Sequence, residues 1–313
     1  MKIVIPGGSG QVGQLLKRAF TREGHEVVVL GRKGAAGVVP WDGHSLSDWA
    51  HEIDGSDVVI NLAGRSVNCR YTAANMKDML ESRVNSTRVV GLAIQQAKAP
   101  PHVWLQMSTA TIYAHRFDAA NDEDTGIIGG GEHGVPEYWG FSIKIAQAWE
   151  QALLEANTPA TRKVALRTAM VMTPDPGGIF DVLFKLVRSR LGGPIGGGKQ
   201  YMSWIHGDDF VAAVNWLIRR DDVTGAVNLA APEPLAQAAF MRDLRKAAGV
   251  SLGLPAAKWM AEIGACFLRT DTELTLKSRR VVPKRLLDAG FHFSWPSWPK
   301  AAEDLVRRTH RAL

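Results

Sequence analysis

The chain has 313 residues, of which 46% are hydrophobic and 22% are charged, and a formal net charge of +6 at pH 7. This length is enough to bury a large core in one domain, or in one domain with a smaller lobe. Only two cysteines occur, Cys69 and Cys266, without metal-ligand spacing, and basic residues do not alternate with aromatic ones, so a disulfide scaffold, a metal site and nucleic-acid binding are not expected.

The N-terminal residues form a complete strand-helix-strand unit. Lys2–Pro6 is predicted as a short apolar strand that runs into GGSGQVG, residues 7–13. A helix with apolar residues at helical spacing follows from residue 11 to about 23, and a second strand spans 26–30. The three glycines spaced three residues apart let the chain turn tightly and admit a pyrophosphate close to the backbone. Because unpaired N–H groups open the helix, the unit predicts a dinucleotide site.

The end of the second strand indicates which dinucleotide is bound. Folds that prefer NAD place an acidic residue there to hold the ribose hydroxyls. This chain has Gly31, Arg32 and Lys33 instead. A guanidinium suits a ribose 2′-phosphate and stacks on adenine, so we predict NADP(H) as the cofactor. The alternative is a pair of solvated surface charges.

Strand and helix signals alternate through the rest of the chain. Strands are predicted over 38–41, 57–61, 102–107, 163–168 and 226–229, and helices over 75–97, 138–156, 209–219 and from 299. The alternation predicts an α/β fold, a Rossmann doubly wound parallel sheet with a smaller C-terminal substrate-covering lobe. We expect residues 1–173 to form the Rossmann core and residues 174–313 to form the lobe. Within the lobe range, residues from about 205 to 230 are expected to return to the core. Ligands bind beyond the carboxyl ends of such strands, where Ser108 and Thr109 are expected.

Several motifs together resemble one family. They are GGSGQVG from Gly7, VINLAG from Val58, DMLESRVNSTR from Asp78, WE at Trp149, GGGKQYMSWIHGDDF from Gly196, NLAAPEP from Asn228 and VPKRLLDAGFHF from Val282. The chain is similar over nearly its whole length to extended short-chain dehydrogenase/reductases, and within them to epimerase-like proteins with a C-terminal DUF1731-like domain, here about 250–297. The resemblance implies a Rossmann core, a nicotinamide cofactor and nucleoside-diphosphate-sugar epimerase activity.

The resemblance also implies a set of cofactor contacts. The residues that would line the pyrophosphate are Gly7, Ser9, Gly10, Gln11 and Val12. Those that would lie along the adenosine are Arg32 and Lys33 at the ribose phosphate, Leu62, Ala63 and Gly64 at the ribose, and Asp42 near the adenine, with Ser108 in the same crevice. A polar turn residue in WDG is an equally good interpretation of Asp42.

The catalytic pattern of the family is broken in this chain. Active members use a tyrosine and a lysine four residues later on one helix, so that the ammonium lowers the pKa of the phenol. Anchoring the register on Lys144 places Gly140 at the tyrosine position. Anchoring it on Glu150 places Ser142 and Ala146 at the two positions. Neither register supplies the pair.

Other residues are candidates for the chemistry. Thr109 matches the hydroxyl that holds the reacting oxygen, or else bonds the local backbone. Tyr138 or a bound water would move the proton, and Lys144 would bind the nicotinamide ribose, unless that lysine is simply solvated.

His206 is an acid–base candidate, but it could simply brace its loop, in which Asp208 or Asp209 is predicted to cap the helix that follows. Glu81 and Arg83 both lie on the long predicted helix, where two residues of an ordinary surface ion pair would look the same in the sequence.

Two functions are compatible with these residues. The first is an NADP(H)-binding epimerase-like oxidoreductase for the hydroxyl or carbonyl of a small polar substrate, such as a nucleotide sugar. The second is a catalytically impaired NADP(H) sensor that acts through a protein partner. The first residues have no signal-peptide pattern and no apolar run approaches the ~20 residues of a membrane helix, so we expect a cytoplasmic protein without membrane contact.

Overall fold

The computed structural model describes residues 1–32, 36–67, 69–256 and 273–312. Lys33 and part of the predicted DUF1731-like segment lie outside the described residues. The strands are β1 (Lys2–Pro6), β2 (Glu26–Gly31), β3 (Val38–Pro40), β4 (Val58–Asn61), β5 (Val103–Thr109), β6 (Arg162–Thr168), β7 (Met170–Met172), β8 (Tyr201–Met202), β9 (Trp204–His206), β10 (Gly225–Leu229) and β11 (Leu235–Ala236). The helices are α1 (Gln11–Arg22), α2 (Ala73–Gln96), α3 (Trp139–Glu155), α4 (Ile179–Arg188), α5 (Gly207–Ile218), α6 (Gln237–Ala247), α7 (Glu273–Leu276), α8 (Lys284–Asp288) and α9 (Trp298–Ala312).

Seven strands form one parallel sheet in the order β10-β6-β5-β4-β1-β2-β3. The chain builds outward from β1 to β3 and then crosses to β4 on the other side of β1. This reversal is the topological switch point, where open α/β sheets bind ligands at the carboxyl ends of the strands. The predicted Rossmann doubly wound fold is confirmed.

Hydrophobic residues on alternate sides of each strand build two cores. Along β1, Ile3 and Ile5 face the core shared with α1 and α5, and Val4 faces the opposite core. All three are fully buried, as expected for strands covered by helices on both faces. Helices α2 and α3 pack together on the second face.

A third core holds the smaller lobe together. It is built from α4, α6 and α9 with aromatic side chains at its centre, and the Phe240 and Trp298 rings stack with their centroids 3.8 Å apart. The sequence analysis did not predict β7, α4 or α6. The boundary expected at residue 173 stays a prediction.

The segment after residue 272 packs against the sheet domain. Val281 forms a bridge with Asn121, and the Ser203 hydroxyl donates to the Arg279 carbonyl at 2.7 Å. The Ser278 N–H donates to His115 Nδ1 at 2.7 Å. These contacts carry charged residues of the C-terminal segment to the carboxyl edge of the sheet. Among the helices in the described ranges, none is long and apolar enough to span a bilayer.

Candidate functional site

The turn between β1 and α1 has the geometry of a phosphate cradle. Gly7 adopts a left-handed φ of 75°, and a Cβ there would lie 2.6 Å from Ala63 Cα. A Cβ on Gly13 would lie 2.4 Å from Gly8 Cα, so glycine alone lets α1 approach the turn. Gly10 precedes α1 and supplies no capping side chain. The first N–H groups of the helix therefore remain available for an anion.

The adenosine side of the site is open. Arg32 is exposed directly beyond β2, and a Cβ on Gly31 would lie 3.5 Å from Ser9 Oγ, which places Ser9 beside the end of that strand. The exposed Asp42 carboxylate accepts hydrogen bonds of 2.9 Å from the N–H groups of His44 and Ser45. This local turn is the simpler of the two interpretations of Asp42, and its contact with adenine stays a prediction.

A cleft of about 380 Å³ extends from the glycine turn across the carboxyl edge of the sheet. The predicted residues that line it are Gly7, Gly10, Gln11, Val12, Leu62, Gly64, Ser108 and Thr109. The structure thus brings most of the predicted cofactor residues to one site. Ala63 is buried directly behind it against Gly7. These residues fit a dinucleotide, because a cradle built around Gly7, Gly10 and Gly13 adjoins the first N–H groups of α1.

Ser108, Thr109 and Ser142 are among the hydroxyl-bearing residues that line the cleft beyond the glycine turn. Ser108 donates to Glu150 Oε1 at 2.6 Å, and Ser142 donates to Glu273 Oε2 at 2.5 Å. Thr109 Oγ1 accepts a 3.1 Å hydrogen bond from the Thr111 N–H, so it caps the local backbone while its own proton can still be donated elsewhere. Ser142 is the residue that the Glu150 register places at the tyrosine position.

Tyr138 and Lys144 are not brought into this cleft. Tyr138 caps the start of α3 with 43% of its surface exposed, and Lys144 is exposed on the same helix. Ser142, Ile145 and Trp149 form the face of α3 that lines the cleft. The catalytic roles assigned to the tyrosine and the lysine stay predictions.

Charged residues from the C-terminal segment close the far end of the cleft. Glu273 is fully buried, and Lys277 Nζ lies 3.4 Å from its Oε1 and donates to the Thr111 carbonyl at 3.0 Å. Arg279 Nε donates to Thr111 Oγ1 at 3.2 Å. Burial lowers the pKa of Lys277. The sequence analysis missed these residues, although they directly precede the VPKRLL motif.

Arg83 is another residue of the cleft that the sequence analysis did not place there, because it was compatible with a surface ion pair. Glu81 is paired with Lys77 at 3.8 Å, and the Arg83 guanidinium instead turns into the cleft, 5.0 Å from the centre of the Trp149 ring. Burial lowers the pKa of Arg83 to about 10. A Cβ on Gly64 would lie 3.1 Å from Arg83 Cγ, so the glycine of NLAG makes room for this side chain.

A buried hydrogen-bond network fixes the strand ends behind the cleft. Arg167 on β6 forms two hydrogen bonds with Glu150, at 2.9 and 2.8 Å, and donates to the Tyr113 hydroxyl at 2.9 Å. That hydroxyl donates to Asn228 Oδ1 on β10 at 2.9 Å. With the Ser108 bond to Glu150, the network ties β5, β6 and β10 to α3. The WE motif of the sequence therefore has a positioning role.

His206 lies outside the cleft and braces a helix. Its Nδ1 accepts a 3.1 Å hydrogen bond from the Asp208 N–H at the start of α5, and 1% of the residue is exposed. Its Nε2 faces Asp304 Oδ2 at 3.4 Å. These three residues have the spacing of a metal-ligand group, but Arg308 forms 2.6 Å ion pairs with both carboxylates. The guanidinium supplies the positive charge that a metal ion would bring.

Comparison with known proteins shows which families and which relatives this chain is similar to. Residues 3–230 match the model of the NAD dependent epimerase/dehydratase family, and residues 256–305 match DUF1731, a domain of unknown function. Epimerase family protein SDR39U1 of Bos taurus is 30% identical over 313 residues, which are 98% of this chain and 100% of that protein. Epimerase family protein YfhF of Bacillus subtilis is 27% identical over 98% of each chain.

A solved structure has the same architecture. The crystal structure of human epimerase family protein SDR39U1, isoform 2, with NADPH superposes with a TM-score of 0.86 at 27% identity. The match covers 98% of this chain and 99% of the human one. The resemblance inferred from the motifs is confirmed, including the C-terminal domain.

Proposed function

The chain belongs to the NAD dependent epimerase/dehydratase family, and we propose that it is an NADP(H)-binding, epimerase-like oxidoreductase acting on the hydroxyl or carbonyl of a small polar substrate. Nucleotide sugars are one class of such substrates. The observation that carries the proposal is the continuity of the cleft, in which a glycine-rich phosphate cradle leads directly to the hydroxyl groups of Ser108, Thr109 and Ser142.

The preference for the phosphorylated cofactor rests on Arg32. The residue at the end of β2 is a cation where NAD-binding folds have a carboxylate, and its exposed guanidinium can bind a ribose 2′-phosphate through two hydrogen bonds. The human relative crystallised with NADPH supports the same choice. When bound, the nicotinamide supplies or accepts the hydride.

We assign the proton side of the reaction to residues around α3. Thr109 donates a hydrogen bond to the reacting oxygen of the substrate and orients it. During oxidation of a substrate hydroxyl, the proton of that hydroxyl passes to Ser142 Oγ. At the same time the proton of Ser142 passes to Glu273 Oε2, 2.5 Å away. Reduction runs the same transfers in reverse. The Lys277 ammonium lies 3.4 Å from the other carboxylate oxygen of Glu273.

Binding and turnover of the purified protein test this function. We expect NADPH to bind at least tenfold more tightly than NADH in calorimetry, as charged hydrogen bonds of about 1.5–3 kcal/mol to the 2′-phosphate imply. A panel of nucleotide sugars and small carbonyl compounds is then screened by the loss of NADPH absorbance and by product chirality. Tighter binding of NADH would contradict the cofactor assignment.

The regulatory alternative is favoured by one observation, the positions of Tyr138 and Lys144 outside the cleft. A protein that binds NADPH but turns over no member of the panel would support that alternative. Its sensor role then requires a partner protein whose capture changes between NADP⁺ and NADPH.

A further inference from the structure

The Arg83 side chain forms part of the wall of the cleft beside Gly64. A Cβ on Gly64 would lie 3.1 Å from Arg83 Cγ, 3.2 Å from its Cζ and 3.3 Å from its Nε, so the side chain passes directly against this glycine. The centre of the Trp149 ring lies 5.0 Å from the guanidinium. All three residues line the cleft. The glycine and the aromatic ring therefore define where the guanidinium lies.

The same stretch of chain packs against the glycine turn. A Cβ on Gly7 would lie 2.6 Å from Ala63 Cα and 2.7 Å from Ala63 N. Ala63 and Gly64 are adjacent in the chain, so these two close approaches bring the guanidinium of α2 to the edge of the phosphate cradle. Arg83 is thus placed beside the cradle by contacts with the backbone that shapes it.

Arg83 has hydrogen-bond donors to spare for a ligand. Its Nη1 donates to the Met79 carbonyl at 2.9 Å, one turn earlier on α2. Among the residues that the structure describes, no carboxylate forms an ion pair with this guanidinium. A guanidinium has five N–H donors, so one bond to a carbonyl leaves others for the cleft. Since a charge without an opposite charge is costly to bury, an anion in the cleft would stabilise this arginine.

We propose that Arg83 is a cofactor-binding residue that donates hydrogen bonds to the pyrophosphate of NADP(H). This inference rests on the proposed function and adds a cation to the glycine turn. The pyrophosphate is the anionic group that a dinucleotide places at such a turn. The planar guanidinium suits it, because its parallel donors match two phosphate oxygens at once.

The role of Arg83 differs from the role proposed for Arg32. The pyrophosphate is present in both NADPH and NADH, whereas the 2′-phosphate is present in NADPH alone. Arg83 therefore contributes to the affinity for both cofactors and leaves the preference between them to Arg32. A comparison of the two cofactors separates the two arginines.

Calorimetry with both cofactors tests this role. Arg83→Met should weaken NADPH and NADH by the same factor, about tenfold or more, because it removes hydrogen bonds to a charged group. Arg83→Lys should cause a smaller loss, since an ammonium keeps the charge without the fork of donors. The control is Arg88→Met, which removes an exposed arginine from the same helix and should change neither affinity. Thermal unfolding of each variant verifies its fold.

Two fragments of the cofactor locate the contact. ADP-ribose 2′-phosphate contains the pyrophosphate and lacks the nicotinamide, whereas adenosine 2′-phosphate lacks both. We expect Arg83→Met to weaken ADP-ribose 2′-phosphate by the same factor as NADPH. The affinity for adenosine 2′-phosphate should stay at the wild-type value.

Four results would overturn the inference while the proposed function stands. Unchanged NADPH affinity in Arg83→Met would remove the guanidinium from the cofactor site. A loss for NADPH without a loss for ADP-ribose 2′-phosphate would place it at the nicotinamide end. A loss for adenosine 2′-phosphate would place it at the adenosine, and a loss for NADPH without one for NADH would place it at the 2′-phosphate.

Two further outcomes are also decisive. If the wild-type protein binds neither NADPH nor NADH, the proposed function fails and the inference falls with it. Should Arg83→Met not fold, Arg83→Lys decides alone, and a wild-type affinity for both cofactors in that variant overturns the inference.

Discussion

The Ser142 hydroxyl donates a 2.5 Å hydrogen bond to Glu273 Oε2 and so joins α3 of the sheet domain to the C-terminal segment. Both residues line the cleft that the glycine turn opens. In the register anchored on Glu150, Ser142 takes the position of the family's tyrosine, and a buried carboxylate from a distant part of the chain accepts its hydrogen bond.

Replacing this hydroxyl tests its role in proton transfer. We expect Ser142→Ala to lower kcat by about 100-fold, the lower range for loss of a general acid–base group, with NADPH affinity unchanged. Glu273→Gln should lower kcat similarly, and also the unfolding temperature, because it leaves Lys277 without its buried partner. The control is Glu155→Gln, which removes an exposed carboxylate at the end of α3. Full activity in Ser142→Ala would remove the serine from the mechanism.

We predict that Arg32 determines the choice of cofactor. Arg32→Ala should weaken NADPH binding by about 10- to 100-fold and leave NADH binding nearly unchanged, since the lost hydrogen bonds reach only the 2′-phosphate. Calorimetry with both cofactors measures the two effects. Arg22→Ala also removes an exposed positive charge, but at the C-terminal end of α1, away from the glycine turn. This control should change neither affinity. Equal weakening of both cofactors by Arg32→Ala would place the guanidinium away from the phosphate.

Two glycines of the cradle should respond differently to a methyl group. A Cβ on Gly13 would lie 2.4 Å from Gly8 Cα, so Gly13→Ala forces the helix from the turn and should destabilise the fold by about 1–3 kcal/mol or more. A Cβ on Gly10 has its nearest neighbour at 3.8 Å and an ordinary φ of −74°. Gly10→Ala should fold normally and still bind NADPH more weakly.

Thermal unfolding and calorimetry separate these outcomes. The methyl group at position 10 lines the cleft and obstructs the approach of the pyrophosphate to the backbone. Unchanged NADPH affinity in a well-folded Gly10→Ala would show that the phosphate lies away from the first turn of α1.

The sheet was predictable because its signals are local. The strand expected over 102–107 is Val103–Thr109, since an apolar run marks a strand buried on both faces while the polar residues 108 and 109 obscured its end. Strand β7, Met170–Met172, was missed because it is three residues long and follows β6 after a single residue. Short elements of this kind are defined by their partners in space.

The cofactor half of the site was similarly local, but the substrate half was not. A contiguous glycine run builds the cradle, whereas Ser142 and Glu273 are separated by 131 positions in the chain. Arg83 was compatible with a surface ion pair because sequence spacing shows which residues share a helix face, and not which face a distant segment covers. In this chain α3 covers that face of α2, with the centre of the Trp149 ring 5.0 Å from the Arg83 guanidinium.

Acid should destabilise the protein through His206. Burial lowers the pKa of this imidazole, despite the nearby Asp208 and Asp304 carboxylates, from an ordinary value of 6.5. Below about pH 6.5 the unfolded chain therefore binds a proton that the folded chain does not, so the free energy of unfolding falls as the pH is lowered. The expected loss between pH 7 and pH 5 is about 1 kcal/mol or more, since one unit of pKa corresponds to about 1.4 kcal/mol. Chemical denaturation across this range measures it.

His206→Asn isolates that contribution. Asparagine can accept the Asp208 N–H at the start of α5 and does not titrate, so the variant should be less stable at neutral pH but lose less stability on acidification. Groups distant from this histidine act equally in both proteins and cancel in the comparison, whereas the neighbouring Asp208 and Asp304 carboxylates interact with it and are part of the measured contribution. His133→Asn, which removes an exposed imidazole, should keep the wild-type pH profile. An identical slope in His206→Asn and the wild type would mean that this histidine binds its proton equally well in the folded and unfolded chain.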